Sequence, residues 1–380
     1  MPPGRLRIAA APLLALLLAA AQPTAPGRAS AETGASGGFE AVVDARYTGP
    51  AGAPMARARR YRTLGEALAS IPASATGRHR IYLRDGRYRE KLTVDRADVS
   101  LVGESRDGTV LTYDAASDTR GPDGVPYGTR GSFTLRVIAP GFRAEHLTIE
   151  NAFDYPANAA KAEGDSTRFR NPQGVALMLD GASDRAVIAD VRMSGYQDTL
   201  FPNAGRAYFT RCIVAGHVDF IFGSGQAVFD RCDIVTRDRH NRPNNGYVVA
   251  PSTPLALPHG FLFIHSRLLR ETPAVAARSV MLGRPWHPAA DPQAVGSAVF
   301  VKCWMDAHIK PMPWDSMSGV NAAGTRIWFH AGDARLFEYR STGPGASAGP
   351  GRRLLTDEQA RYHTPAAVLR GWVPDAAPIR

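Results

Sequence analysis

Two aspartates, Asp198 and Asp219, are the residues of this sequence best suited by type and spacing to carry out chemistry. They lie 21 positions apart, in the segments SGYQDTL at 194–200 and HVDFIFG at 217–223. Two carboxyl groups held close together cannot both ionise without a free-energy cost. The pKa of one of them rises, and the pair can supply a nucleophile or base together with a proton donor. Spacing alone is also compatible with two turn aspartates or with a polar ladder that has no function.

A repeated pattern indicates the scaffold that would position this pair. The eight-residue pattern apolar-x-apolar-x-x-apolar-x-apolar occurs six times, and its third positions are Ala144, Ile188, Phe209, Phe229, Phe263 and Phe300. These positions are separated by 44, 21, 20, 34 and 37 residues. We interpret the steps of 20 and 21 as one coil, the step of 44 as two coils, and the others as coils with loop insertions. Such short units cannot bury their apolar side chains alone, so they must stack on one another.

The repeat predicts an all-β fold, a single-stranded right-handed parallel β-helix. A short N-terminal capping helix is expected after Thr63, which opens a capping box, and C-terminal helices are expected after Thr356 and Thr364. We expect the C-terminal helices to pack back over the coil, because its open end is an exposed sheet edge that needs covering. A β-sandwich or a propeller is the alternative, although strands in those folds recur at about 8 to 12 residues or in blades of about 40 or more.

The β-helix would place Asp198 and Asp219 at equivalent positions, ten residues past Ile188 and Phe209 respectively. Adjacent rungs lie about 4.8 Å apart, so the two carboxyl groups should come within about 4–6 Å of each other.

Further polar residues fall near this pair. Gln197 adjoins Asp198, Gln173 falls one coil earlier, and Arg284 stands in the segment LGRPW at 282–286. Amide groups can donate to a developing oxyanion, and an arginine can keep one carboxylate ionised and oriented. Each of these residues also has a structural interpretation, as a rung ladder or as a surface charge.

The first 31 residues have the features of a secretory signal peptide. Arg5 and Arg7 precede an apolar run from Ile8 to Ala21, and the small-residue cleavage pattern Ala29-Ser30-Ala31 follows. The apolar run is shorter than the roughly 20 residues that cross a bilayer. We therefore expect a secreted protein that is not held in a membrane, with residues 32–380 as its single catalytic domain.

The charge of the chain favours an acidic polymer as its partner. The net charge of +10 falls to +7 when the leader is removed, because the leader contains three arginines and no acid. Nucleic acid is the usual alternative partner for a protein with a net positive charge, but the basic residues of this chain are scattered rather than clustered. Together with export, this makes an acidic polysaccharide the better expectation and argues against nucleic acid.

The three cysteines occupy the sixth position of the repeated pattern. Cys212 and Cys232 are 20 residues apart on successive rungs, so a disulfide could join them, whereas Cys303 falls two copies later and has no partner within reach. Export to an oxidising compartment favours the bond. The alternative is three buried thiols that act as small apolar fillers.

Four segments in order and register resemble the signature segments of the pectin methylesterases, also called pectinesterases, in their bacterial secreted form. They are NPQGVAL at 171–177, GYQDTL at 195–200, DFIFG at 219–223 and LGRPW at 282–286. LTIEN at 147–151 and FEY at 337–339 extend the similarity over roughly residues 40–372. The resemblance implies a β-helical hydrolase that acts on the methyl esters of galacturonate in pectin without a metal or a cofactor.

The resemblance also implies roles for individual residues. Asp219 would be the nucleophile and Asp198 the general acid and then the base, which makes the protein an aspartyl esterase. Gln173 and Gln197 would donate hydrogen bonds to the oxyanion, and Arg284 would bind and orient Asp219.

Further residues are implied as contacts for the sugar rings. Trp286, Phe222 and Tyr196 would form an aromatic wall, with Thr134 and Met305 as weaker substrate contacts. The expected partner is methyl-esterified homogalacturonan, bound by a monomer that takes part in pectin degradation or cell wall modification.

Two other classes of protein share the predicted scaffold. A pectate lyase or polygalacturonase would share the substrate, but a lyase needs clustered acids for calcium, whereas the acids here fall as a pair beside amides. A non-catalytic β-helix that binds polysaccharide gives no reason for Asp198, Asp219 and Arg284 to converge. Release of methanol from pectin distinguishes an esterase from both.

Overall fold

The computed structural model describes residues 38–379, so the predicted signal peptide, residues 1–31, lies outside the described residues. The described chain winds through three sheets of parallel strands in turn, and each strand pairs with its counterpart in the next coil. This is the right-handed parallel β-helix that the repeat predicts. No helix within residues 38–379 is long and apolar enough to cross a membrane.

Sheet A is the largest, with 12 strands. Its strands are β1 (Ala41–Val43), β2 (Ala53–Met55), β3 (Ala58–Tyr61), β4 (His79–Leu83), β7 (Val99–Gly103), β10 (Arg143–Glu145), β13 (Ala186–Ala189), β16 (Arg206–Thr210), β19 (Gln226–Asp230), β22 (Phe261–Ile264), β25 (Ser297–Val301) and β29 (Arg335–Tyr339). Its pairs are parallel except for β2 with β3.

Sheets B and C have eight and seven strands. Sheet B contains β5 (Gly86–Arg89), β8 (Thr109–Tyr113), β11 (Thr148–Asn151), β14 (Arg192–Ser194), β17 (Ile213–Gly216), β20 (Asp233–Thr236), β23 (Arg267–Arg270) and β26 (Trp304–Met305). Sheet C contains β6 (Leu92–Val94), β9 (Leu135–Val137), β12 (Leu177–Leu179), β15 (Leu200–Pro202), β18 (Val218–Gly223), β21 (Gly246–Pro251) and β24 (Val280–Gly283). An antiparallel hairpin, β27 (Met317–Val320) and β28 (Arg326–Phe329), follows the last coil.

The helices are short. They are α1 (Leu64–Ala69), α2 (Gly128–Gly131), α3 (Tyr155–Ala160), α4 (Asp357–Ala360) and α5 (Pro365–Val368), with 3₁₀ turns at Pro288–Ala290, Ala331–Asp333 and Pro344–Ala346. The capping boxes predicted at Thr63 and Thr356 are both present, and Thr364 caps α5. Leu64 and Ala67 of α1 are buried in the core of the coil, as expected of a capping helix.

The C-terminal helix packs on the side of the coil rather than over its open end. Val368 and Leu369 are buried against Val228 and Leu262, which are residues of sheet A that face outward from the coil. The prediction that the C-terminal helices pack back over the coil is correct for α5, but the surface covered is the outer face of sheet A and not the open end that the prediction had in view.

The interior of the coil is a set of stacked apolar side chains. The third positions of the repeat pair directly with one another along sheet A, from Ala144 to Phe300. Phe209, Phe229, Phe263 and Phe300 are fully buried, and neighbouring rings stack with centroids 4.5–4.7 Å apart. The repeat therefore identified the register of the coil correctly.

One interpretation of the repeat is wrong. The step of 44 residues from Ala144 to Ile188 is a single coil and not two, because these two residues are direct partners in β10 and β13. The extra length is an insertion between β11 and β12 that contains α3. Periodicity cannot distinguish a second coil from a loop of similar length.

A single residue with left-handed backbone forms the corner between sheets A and B in six of the coils. These corner residues are His146, Asp190, Arg211, Arg231, His265 and Lys302, whose φ angles lie between 50° and 55°. Each stands at the fifth position of the repeated pattern, immediately before the sixth-position side chain that enters the interior. The corner thus sets the inward direction of the stack to which the cysteines belong.

The predicted Cys212–Cys232 disulfide is wrong, because all three cysteines are free and buried thiols. The stacking register behind the prediction is correct, since the strands that follow Cys212 and Cys232 pair residue by residue. The two sulfurs are instead directed at the backbone of preceding coils. Cys212 Sγ lies 3.3 Å from the carbonyl oxygen of Ile188, and Cys232 Sγ lies 3.5 Å from that of Phe209.

Candidate active site

Asp198 and Asp219 lie at the same turn of two adjacent coils. Leu200 of β15 pairs with Ile221 of β18, and this register sets Asp198 beside Asp219. The backbone N–H of Asp198 donates to the carbonyl of Val218 across the two coils at 3.1 Å. The structure therefore brings the two predicted residues together on neighbouring rungs.

Both aspartates have the left-handed backbone conformation that recurs at the corners of this coil. Their φ angles are +64° for Asp198 and +49° for Asp219, in the left-handed region. Asp219 also lies where the pairing of β18 with β21 shifts register between Val218 and Ile221. Left-handed backbone turns the chain sharply at a single residue, as it does at the corners between sheets A and B. At Asp198 and Asp219 the equivalent turns direct two carboxyl groups at one place.

Arg284 distinguishes the two carboxyl groups. It follows β24, and its guanidinium group holds Asp219 through two hydrogen bonds, from Nε to Oδ1 at 3.0 Å and from Nη2 to Oδ2 at 2.6 Å. Asp219 is only 6% exposed. A bidentate pair of this kind fixes both the charge and the plane of the carboxylate. Asp219 is therefore an oriented anion.

The environment of Asp198 favours the opposite protonation state. Burial raises the pKa of Asp198 well above its usual value, and the negative charge of Asp219 raises it further, while Arg284 opposes the change in part. The environment of Asp198 thus favours its protonated form, beside the carboxylate that Arg284 holds. Two carboxyl groups whose environments favour opposite protonation states can act as an acid and a nucleophile.

The two glutamines lie on adjacent coils next to the aspartates. Gln173 precedes β12 and Gln197 precedes β15, and the N–H of Gly174 donates to the carbonyl of Gln197 at 3.1 Å. The side-chain oxygen of Gln173 is buried and has no hydrogen-bond partner among residues 38–379. The amide oxygen of Gln173 therefore accepts no hydrogen bond from the described part of the protein.

The predicted aromatic residues fall into two groups. Trp286 packs edge-on against Phe222 at 5.6 Å between ring centroids, and Phe222 stacks on Phe201 at 4.0 Å. Tyr196 belongs to another group, in which it stacks on Tyr155 at 5.4 Å. Trp286 and Phe222 thus adjoin each other, whereas Tyr196 does not share their cluster.

Two weaker predictions of substrate contacts are not supported by the structure. Met305 is 0% exposed inside the coil, so its side chain cannot reach a ligand on the outer face. Thr134 is 1% exposed, and its hydroxyl donates to the carbonyl of Glu150 at 2.8 Å. The prediction that Thr134 and Met305 contact substrate is therefore corrected, because both side chains are occupied in the interior.

The sequence interpretation missed Tyr247 and Asp315. The guanidinium carbon of Arg284 lies 3.9 Å from the centre of the Tyr247 ring, and the hydroxyl of Tyr247 donates to Asp315 Oδ2 at 2.9 Å. Tyr247 pairs with Val218, the neighbour of Asp219, on the next coil. Extending the stack by one coil beyond Asp219 would have pointed to Tyr247, whereas Asp315 lies past the last repeat and left no signal.

Comparisons with known proteins identify the family of this chain. The model of the family described as pectinesterase matches residues 55–371. Pectinesterase A of Dickeya dadantii (strain 3937) is 42% identical over 325 residues, which span 83% of this chain and 88% of the relative. Probable pectinesterase/pectinesterase inhibitor 36 of Arabidopsis thaliana is 32% identical over 83% of this chain and 57% of the relative.

Solved structures agree with the fold. Pectin methylesterase from Erwinia chrysanthemi matches with a TM-score of 0.83 at 42% identity, covering 89% of this chain and 98% of that chain. Pectin methylesterase from Yersinia enterocolitica matches with a TM-score of 0.79 at 46% identity, covering 82% and 99%. A pectin methylesterase in complex with a hexasaccharide also matches, with a TM-score of 0.83 at 42% identity and the same coverage as the first.

Proposed function

This chain belongs to the pectinesterase family, and on that premise we propose that it hydrolyses the methyl esters of pectin with Asp219 as nucleophile and Asp198 as acid and base. It is a carboxylic ester hydrolase, and pectin is its ligand. The roles of individual residues are our proposal. The observation that carries them is the asymmetry of the pair: Arg284 holds Asp219 with two hydrogen bonds, while burial favours protonated Asp198.

The first half of the proposed reaction forms a covalent intermediate. A carboxylate oxygen of Asp219 attacks the carbonyl carbon of the ester, and the carbonyl oxygen becomes an oxyanion that accepts hydrogen bonds from Gln173 and Gln197. When the intermediate collapses, the bond to the methoxy oxygen breaks and Asp198 gives its proton to that oxygen. Methanol leaves, and the galacturonyl group remains bound to Asp219 as an anhydride.

The second half restores the enzyme. Asp198, now ionised, takes a proton from a water molecule, and the water oxygen attacks the galacturonyl carbon. The bond to Asp219 breaks, the carboxylic acid of the galacturonic acid unit leaves and then loses its proton to solvent, and Asp219 returns as a carboxylate to the pair with Arg284. The sum of the two halves is ester plus water giving acid plus methanol, and Asp198 ends protonated as it began.

The aromatic residues have a separate proposed role in binding. Trp286 presents part of its ring to solvent beside buried Phe222, and aromatic faces of this kind pack against the apolar faces of sugar rings. Tyr196, which lies next to Gln197, would contact a neighbouring sugar unit. Loss of an aromatic contact should weaken substrate binding more than it slows the chemical step.

Methanol release from methyl-esterified pectin tests the proposed mechanism. Asp219→Asn removes the nucleophile, and we expect activity to fall by at least about 10³-fold with the fold unchanged. Asp230→Asn is the matched control, since Asp230 is also buried and accepts hydrogen bonds from Tyr208 and Arg231, but in sheet A. Retention of more than a few percent of activity by Asp219→Asn, with Asp230→Asn near wild type, would exclude Asp219 as nucleophile.

The state of the mature protein is also a proposal. We infer that residues 1–31 direct export and are removed, and that residues 32–380 act as a monomer. The family match at residues 55–371 lies wholly within this range, which supports one catalytic domain. The intact mass of the exported protein checks the cleavage, and light scattering in solution checks the monomer.

A further inference from the structure

Asn151 is a buried polar residue that the proposed mechanism does not use. It ends the segment LTIEN and strand β11, and it is 5% exposed. In the next two coils Gly195 and Gly216 follow the equivalent strands, since β11, β14 and β17 pair in register. Asn151 is therefore not a rung of an asparagine ladder, and the coil alone does not require an asparagine at this position.

The side-chain amide of Asn151 joins separate segments of backbone. Its nitrogen Nδ2 donates to the carbonyl oxygens of Ala115 at 2.8 Å and Ser132 at 3.0 Å, and the carbonyl oxygen of Val175 lies 3.3 Å from the same nitrogen. Its oxygen Oδ1 accepts from the backbone N–H of Phe153 at 3.1 Å. Both ends of the amide are thus hydrogen-bonded, as is usual for a buried polar group.

The segments that Asn151 joins also hold the backbone at Gln173. The N–H of Ser117, two residues after Ala115, donates to the carbonyl of Gln173 at 2.8 Å. The hydroxyl of Ser132 accepts from the N–H of Val175 at 3.2 Å. Together with the contact between the asparagine amide and the Val175 carbonyl, these hydrogen bonds fix the chain from residue 173 to residue 175.

Gly174 shows how closely Asn151 approaches this turn. A Cβ atom added to Gly174 would lie 2.6 Å from Oδ1 of Asn151 and 2.8 Å from its Cγ, which is closer than such atoms approach in proteins. The N–H of Gly174 also donates to the carbonyl of Gln197 at 3.1 Å. The turn that carries Gln173 therefore contacts both the Asn151 side chain and the backbone of the second proposed oxyanion donor.

The turn that carries Gln197 has a comparable support. The hydroxyl of Thr199, which is fully buried, lies 3.2 Å from the carbonyl oxygen of Tyr196 and 3.1 Å from that of Ala215. A Cβ atom added to Gly195 would lie 2.9 Å from this hydroxyl oxygen. The turn of each proposed donor is thus supported by one buried polar side chain from its own coil.

We propose that Asn151 is a positioning residue for the esterase reaction, and that it sets the place of the Gln173 amide through the backbone of residues 173–175. The inference rests on the proposed function, because it takes Gln173 as a donor to the oxyanion. The amide of Asn151 is hydrogen-bonded to backbone, so it acts on the reaction through Gln173. An oxyanion donor is effective only when it is held in place before the reaction, so loss of Asn151 should lower kcat and leave KM nearly unchanged.

A double-mutant cycle on methanol release from pectin tests this coupling. Gln173→Ala should lower kcat by about 10²–10³-fold, as for the loss of one oxyanion donor. Asn151→Ala should lower kcat by at least about tenfold, and by no more than Gln173→Ala does, because it misplaces the same donor. In the double variant kcat should stay within about threefold of that of Gln173→Ala alone, since residues that act through one group are not additive.

Asn158→Ala is the matched control. Asn158 is also a buried asparagine, and its side chain exchanges two hydrogen bonds with the backbone of Phe169 at 3.0 and 2.7 Å, in the insertion that follows β11. Its replacement should lower thermal stability and leave kcat unchanged. Asn151→Ser keeps one hydroxyl donor and should lower kcat by less than Asn151→Ala, and it takes the place of Asn151→Ala in the cycle if that variant does not fold.

Two results would overturn the inference and leave the proposed function intact. In the first, Asn151→Ala lowers thermal stability without lowering kcat. In the second, it lowers kcat by the same factor in the wild type and in Gln173→Ala, so that its effect does not pass through Gln173. A wild-type kcat in Gln173→Ala would contradict the proposed role of Gln173 and the inference with it, whereas absence of methanol release by the wild type would overturn the proposed function itself.

Discussion

The guanidinium carbon of Arg284 lies 3.9 Å from the centre of the Tyr247 ring, on an arginine that also holds Asp219 with two hydrogen bonds. The tyrosine is itself oriented, because its hydroxyl donates to Asp315 and accepts from the side chain of Asn244 at 3.2 Å. Asp219, the proposed nucleophile, is thus supported in two steps: the Tyr247 ring positions Arg284, and Arg284 positions the carboxylate.

The first prediction concerns this support. Tyr247→Leu removes the ring, and a cation–π contact contributes about 0.5–2 kcal/mol, so we expect kcat to fall by roughly two- to thirtyfold with little change in KM. Tyr247→Phe keeps the ring, so its kcat should fall by less than that of Tyr247→Leu. Tyr208→Leu, in sheet A, is the matched control and should affect thermal stability without lowering kcat. A fall in stability alone for Tyr247→Leu would mean that the ring has no part in positioning Arg284.

The second prediction concerns the oxyanion. Gln197→Ala should lower kcat by about 10²–10³-fold, as expected for the loss of one preorganised donor to a developing oxyanion. Gln293→Ala replaces an exposed glutamine outside the site and should leave the rate unchanged. Steady-state rates of methanol release give kcat and KM. A rise in KM with an unchanged kcat would assign Gln197 to substrate binding instead.

The third prediction follows from the raised pKa of Asp198. Between the unfolded value near 3.8 and the raised folded value, the folded protein holds one more proton than the unfolded protein. The contribution of this group to stability is therefore complete below the unfolded pKa and is lost as the pH rises through the folded one. Asp198→Asn cannot ionise, so the stability of this variant relative to wild type should increase with pH. Thermal unfolding of both proteins at pH 4 and at neutral pH measures the difference, and a constant difference would contradict the raised pKa.

The fourth prediction concerns the thiols. Burial raises the pKa of Cys303 to about 12, and it also raises that of Cys232 well above the usual range. The thiolate is the reactive form, so folded protein should react slowly with thiol reagents. Denatured, non-reduced protein should titrate with three thiols per chain, in line with three free cysteines. A count of one thiol per chain would contradict this prediction and support a disulfide between Cys212 and Cys232.

The sequence predicted the coil and the acid pair because both depend on spacing between residues of the same kind. Phe209, Phe229 and Phe263 recur in a pattern that only stacking explains, and the offset from Asp198 to Asp219 follows from that register. Spacing along the sequence carries less information where the direction of a side chain decides its role. Met305 stands in the repeat and therefore points inward, which is the reason that it does not contact substrate.

Other features left no periodic signal at all. The insertion after β11 has the length of a second coil, and only the pairing of Ala144 with Ile188 shows that it is a loop. Asp315 reaches the site from beyond the last coil through Tyr247, a contact across 68 positions of sequence. The state of Cys212 and Cys232 depends on where each sulfur points, which their separation along the chain does not encode.

The insertion between β11 and β12 has a consequence for how such an enzyme can change. The chain leaves one coil at Asn151 and enters sheet C again at Leu177, and the strands on either side of this insertion pair in register with both the preceding and the following coil. Changes in the length and composition of that segment therefore do not alter the distance between the two carboxyl groups. Selection can therefore change the part of the loop that precedes Gln173, a proposed oxyanion donor, while the two carboxyl groups keep their places.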